Sequence, residues 1–106
     1  MIDGIVIRGT TPIHEFEIPY PIEIVKNIRI TYAQNKKVCF TKVKSDCVLT
    51  EGKAEVSLTQ EETYSFEPTK PIMIELRIQL TNDKVLRSEE PITLRVVDSF
   101  DNEVMV

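Results

Sequence analysis

Tryptophan is missing from this sequence, histidine occurs once, cysteine twice and glycine three times. Gly4, Gly9 and Gly52 lie too far apart to build a phosphate-cradling loop, which needs backbone N–H groups gathered by closely spaced glycines at a helix start. Cys39 and Cys47 cannot complete a tetrahedral metal site by themselves, and the sole histidine, His14, is distant in sequence. Both thiols are therefore expected reduced and metal-free, Cys39 pointing away from the face shared by Val38 and Phe40, and Cys47 opening a different strand. No apolar stretch reaches the roughly 20 residues a bilayer-crossing helix needs. Residues 1–8 carry an acid early and only a short apolar run, which is not the pattern of a secretory leader. No catalytic residue, no cofactor-binding residue, no metal ligand and no membrane partner is expected.

What is abundant points to strands. The apolar share of 42% is dominated by isoleucine and valine, threonine is frequent, and alanine is nearly absent. β-Branched side chains pack well on a pleated surface and lose rotamer freedom in helices. At 106 residues, with 28% charged side chains, the chain suits one globular domain spanning residues 1–106. The formal net charge of −4 speaks against a nucleic-acid partner, which needs clustered cations. Charge is uneven, however. Lys26, Arg29, Lys36, Lys37, Lys42, Lys44 and Lys53 face only Asp46 and Glu51 within residues 26–53, whereas the second half is acidic. Such opposition suits solvated strand faces, or a head-to-tail contact between identical subunits.

Period-two alternation marks the strands. In residues 72–80 the even positions are aliphatic while Glu75, Arg77 and Gln79 face the other way, and residues 92–96 repeat the pattern. Residues 27–33 place Ile28, Ile30 and Tyr32 on one face. A turn at 34–36 leads to a return strand over 37–44 with Val38 and Phe40 inward. Residues 46–50 and 54–58 form a second hairpin around Gly52. Residues 81–84 carry turn chemistry, with a short strand over 85–87. Thr59 and Glu62 have the spacing of a capping box, so a single helical turn follows. The expected core is Ile28, Ile30, Phe40, Val56, Leu58, Ile74, Leu76, Ile78, Leu94 and Val96. The expected fold is an all-β antiparallel sandwich of seven or eight strands, immunoglobulin-like in architecture only.

The segment with most apparent chemistry is residues 8–23, which holds His14 between Glu15 and a face shared with Phe16. No nucleophile elbow accompanies it. Pro12 and Pro19 bracket an edge strand and guard it, and the break at residues 9–12 suits a first strand that pairs with one sheet before crossing to the other. The acidic stretch 98–103 lacks the spacing and glycine of a calcium loop and reads as a solvated tail.

Four stretches carry a family likeness: IRGTTPIHEF (7–16), RITYAQN (29–35), LTQEET (58–63) and DNEV (101–104). They resemble small proteins encoded by phages and prophages of gut Gram-positive bacteria, near virion structural genes. The resemblance implies a non-enzymatic virion structural or assembly protein of the tail or baseplate region, acting through protein–protein contacts. Its partners would be copies of itself or other virion subunits, without nucleic acid, membrane or small-molecule ligand. Its location would be the host cytoplasm during assembly, then the virion. The alternative is a carbohydrate- or cell-surface-binding module, for which Tyr20, Tyr32 and Tyr64 are the amphipathic rings on offer.

Overall fold

The computed structural model describes residues 4–105. Nine strands run through them: β1 (Ile5–Ile7), β2 (Ile13–Glu17), β3 (Val25–Gln34), β4 (Lys37–Val43), β5 (Cys47–Thr50), β6 (Lys53–Ser57), β7 (Ile72–Leu80), β8 (Val85–Arg87) and β9 (Ile92–Val97). A single α-helical turn, α1 (Gln60–Tyr64), follows β6, and short 3₁₀ turns occupy Ile22–Ile24 and Lys44–Asp46. Two sheets result. One has six strands in the order β1-β9-β7-β3-β4, with β8 also paired to β7, and the other runs β2-β6-β5. The fold is all-β. No described helix is long and apolar enough to cross a membrane.

Local chemistry accounts for the joints. The β3–β4 hairpin turns on Asn35 and Lys36, both at positive φ (50° and 65°), the left-handed pair that matches the twist of a two-residue hairpin. Gly52 takes φ 79° between β5 and β6. Thr59 accepts from the Glu62 N–H at 3.1 Å while the Glu62 carboxylate accepts from the Thr59 N–H at 2.8 Å, so the capping box starts α1 as its spacing requires. The punctuation at residues 9–12 does what was expected of it: β1 lies in the six-stranded sheet and β2 on an edge of the three-stranded one.

Buried residues from both sheets join one core, with Phe16, Ala54 and Val56 from the smaller sheet and Ile28, Ile30, Tyr32, Ile72, Ile74, Leu94 and Val96 from the larger. Aromatic rings fill one end. Tyr32 stacks on Phe40 at 4.7 Å between centroids, and Phe66 lies 5.6 Å from Phe40. Eight of the ten expected core residues are buried; Phe40 and Leu76 are half-buried and pack against the cluster.

Three expectations need correction. Nine strands stand where seven or eight were expected; the short β1 and β8 were both read as strands, and only the total was too low. The pairing is not wholly antiparallel, since β1 runs parallel to β9. The third concerns β4. Tyr32 pairs with Phe40 but Ala33 pairs with Val38, so a bulge inserts Cys39 as an extra residue. The bulge breaks strict alternation. Val38 is turned out, 62% exposed, whereas Cys39, expected on the opposite face from Phe40, packs against the core beside it.

Candidate functional site

The residues with most chemistry serve the fold. His14 is buried, and its Nδ1 lies 2.7 Å from the Tyr32 hydroxyl, linking β2 to β3 across the two sheets. Burial drives the Tyr32 phenol far above its usual range, and the charge of Glu62 adds to the shift. Cys39 and Cys47 are free thiols. Burial raises both; Asp46 raises Cys47 further, and Glu67 adds to Cys39, which the Gln34 hydrogen bond offsets in part. A raised pKa leaves little thiolate, the reactive form. Among the described residues no group of three or more His, Cys, Asp or Glu is arranged to hold a metal.

The acidic stretch 98–103 is not simply solvated. The Arg8 guanidinium donates to the Asp98 carboxylate at 2.6 Å and to the Tyr64 carbonyl at 2.9 Å. The Arg8 contact first, and the Ser99 N–H second, hold the Asp98 carboxyl below its ordinary value. The Tyr64 hydroxyl lies 3.0 Å and 3.1 Å from the Asp101 and Glu103 carbonyl oxygens, and its single proton serves the two. Gln60 grips the Met105 backbone twice: its amide N–H₂ donates to the carbonyl and its amide oxygen accepts the N–H, both at 2.9 Å. Gly9 makes room for this clamp, because a Cβ there would lie 2.5 Å from the Tyr64 hydroxyl oxygen. Arg8, Gln60 and Tyr64 thus hold this segment largely by its main chain. Its side chains are left outside: Phe100 and Met105 are exposed, as is the Glu103 carboxylate.

Charge opposition between the chain's halves is partly settled within the chain. Lys26 pairs with Asp83 at 2.8 Å and Lys42 with Glu62 at 2.7 Å. A third cation, Lys53, pairs with Glu15 at 3.0 Å, and these carboxylates and Asp98 account for four acids. Among the cations without an ion pair in the described residues, Arg29 and Arg77 belong to a row of three arginines. Arg29 of β3 stands directly opposite Arg77 of β7, which stands directly opposite Arg87 of β8. Residues directly opposite in a sheet share a face, with Cβ atoms about 4.5–5.5 Å apart, so the three arginine side chains leave the sheet on one face in a row. Arg87 alone has an ion-pair contact, a long one of 3.7 Å to Glu75. Arg29 and Arg77 have no ion-pair partner among the described residues.

Two members of the row, Arg29 and Arg77, line a shallow groove of about 530 Å³ on the outer face of the six-stranded sheet. Asn27, Arg29, Arg77 and Gln79 line its floor, and the partly exposed Val43 and exposed Val85 stand at its sides. Its surface is mixed: apolar sides, an Asn27 amide that donates to the Gln79 amide oxygen at 2.9 Å, and two arginines without ion pairs, groups on which carboxylates and apolar side chains can sit. Alternation puts Arg77 on the wet side of its strand, while Arg29 stands out in the sequence only as one of the cations of residues 26–53. Their alignment depends on the register of β3, β7 and β8, which alternation within one strand does not specify.

Set beside known proteins, the chain matches no family model, no curated protein and no solved structure.

Proposed function

We propose that this chain is a non-enzymatic protein–protein interaction domain, a structural or assembly component of a phage or prophage virion in the tail or baseplate region. The observation that carries the binding role is the arginine row. Three like charges held in register on an exposed sheet face destabilise the folded chain, and a partner bringing carboxylates relieves them. The virion assignment rests on the likeness of the four quoted stretches. We also read the two sheets as a sandwich of immunoglobulin-like build. Support comes from the shared core and from a chain that passes from sheet to sheet between β1 and β2 and again between β4 and β5.

Sugar binding finds no comparable support. Tyr32 is buried, Tyr20 is half-buried against the core, and one face of Tyr64 lies under the Arg8 guanidinium at 5.6 Å.

The test is incorporation. Tagged chain produced in a lysogen carrying its gene is followed through induction and particle purification, beside Arg29→Glu/Arg77→Glu. Wild type in the particle fraction and the variant left in the soluble fraction is the expected result. Wild type excluded from particles contradicts the virion role, and equal incorporation of the variant contradicts the arginine face.

A further inference from the structure

We infer that the arginine groove receives residues 100–103 of a second copy of this chain, giving head-to-tail association. This rests on the groove being a protein-binding face, and adds the identity of the occupant. Two features of the molecule, on different elements, complement each other. The groove offers unpaired Arg29 and Arg77 between Val43 and Val85. The closing segment offers a fully exposed Phe100 followed by the exposed acids Asp101 and Glu103.

The clamp explains how the segment is presented. Tyr64 and Gln60 hold it by carbonyl and amide groups, so the main chain is ordered before any partner arrives and the side chains stay outside. A pre-ordered peptide loses less conformational entropy on docking. Within one copy the segment lies on α1 and Arg8, and it makes no hydrogen bond or ion pair with β3, β7 or β8 among the described residues. The groove of that copy is left for another molecule. A groove on one face and a ligand on another make a heterologous contact, which continues as a filament or closes as a ring.

Direct titration and mixing test the assignment. A fluorescein-labelled peptide of residues 98–106 is titrated with the purified chain at low salt. Saturable binding is expected, weakened about tenfold by Arg29→Glu/Arg77→Glu and by Asp101→Lys/Glu103→Lys in the peptide. The charge-swapped pair, variant chain with variant peptide, is expected to regain affinity, an outcome that a misfolded variant cannot give. In sedimentation, a chain with the groove variant and a chain with the segment neutralised by Phe100→Ala/Asp101→Asn/Glu103→Gln, which brings no cation to the altered groove, should each remain monomeric. Mixed, they should form a one-to-one complex and nothing larger, since one groove and one segment remain intact.

No saturable binding to wild type, equal binding by the groove variant, or no complex on mixing overturns the inference. So does a labelled oligonucleotide that binds the arginines more tightly than the peptide at the same salt. Wild type that enters particles yet ignores the peptide sinks this inference alone; a chain that binds the peptide but stays out of particles sinks the virion assignment alone.

Discussion

Replacing Arg77 by glutamine should make the protein more stable. Arg77 stands between Arg29 and Arg87, directly opposite each. A directly opposed cross-strand pair contributes about 0.2–1 kcal/mol, unfavourable when the charges are alike. All three side chains are exposed, so solvent holds each repulsion in the lower half of that range. Glutamine removes both repulsions and keeps a polar stem, for a net gain of about 0.5–1 kcal/mol. In a domain of this size 1 kcal/mol moves Tm by about 4–8 °C, so the expected rise is roughly 2–8 °C. Thermal melts followed by circular dichroism at 10 mM salt measure it directly. At 0.5 M salt the Debye length falls to roughly 4 Å, and the gap between wild type and Arg77→Gln should shrink. A variant no more stable than wild type at low salt refutes the reasoning, as does a gap indifferent to salt.

Other expected outcomes concern the core and the clamp. Ile74→Ala empties a fully buried site and should cost about 2–5 kcal/mol by denaturant titration, while Leu76→Ala, at a half-buried site two residues on, should cost less, about 1–2 kcal/mol; equal losses would contradict the burial pattern of β7. Gly9→Ala must place a Cβ at φ 84° against the Tyr64 hydroxyl, costing about 1–2 kcal/mol for the backbone alone and loosening residues 101–105. Hydrogen exchange should show the Met105 amide losing protection, and unchanged protection with unchanged Tm would refute the clamp. Tyr32 is held protonated by burial, so its folded value lies above its unfolded value of about 10. Its contribution is complete below pH 10 and is lost as pH rises from there, because the unfolded chain releases the proton first. Tyr32→Phe should therefore flatten the fall in stability between pH 10 and 11.5, and an identical fall in both proteins would argue against a buried phenol.

Much of the fold was legible because the chemistry that specifies it is local. Alternation in residues 72–80 and 27–33 identified β7 and β3, and Thr59 with Glu62 identified α1. The two prolines around residues 13–18 marked the edge strand β2. Val38 and Cys39 were misplaced because a bulge changes side-chain direction without a distinctive residue to announce it. Gln34 shows a different limit. It reads as a hairpin-loop residue, yet it is buried, and its amide ties β4's hairpin to the Glu67 N–H and to the Glu67 and Lys70 carbonyls. Those partners lie 33 and 36 residues further along the chain, beyond any local pattern. The arginine row was hidden for the same reason. Each arginine occupies an ordinary wet position, and only strand pairing gathers them.

On our proposal the outer face of the six-stranded sheet is a contact surface whose ligand is the segment 100–103 of another copy. A dilution series of ¹H–¹⁵N correlation spectra tests both halves of it at once. Resonances that shift with concentration should map to Asn27, Arg29, Arg77, Gln79, Val85 and Arg87 on one side and to residues 100–105 on the other, moving together along one binding curve. Shifts confined to the free edges of β4 and β5, or spectra unchanged up to millimolar concentration, would contradict it.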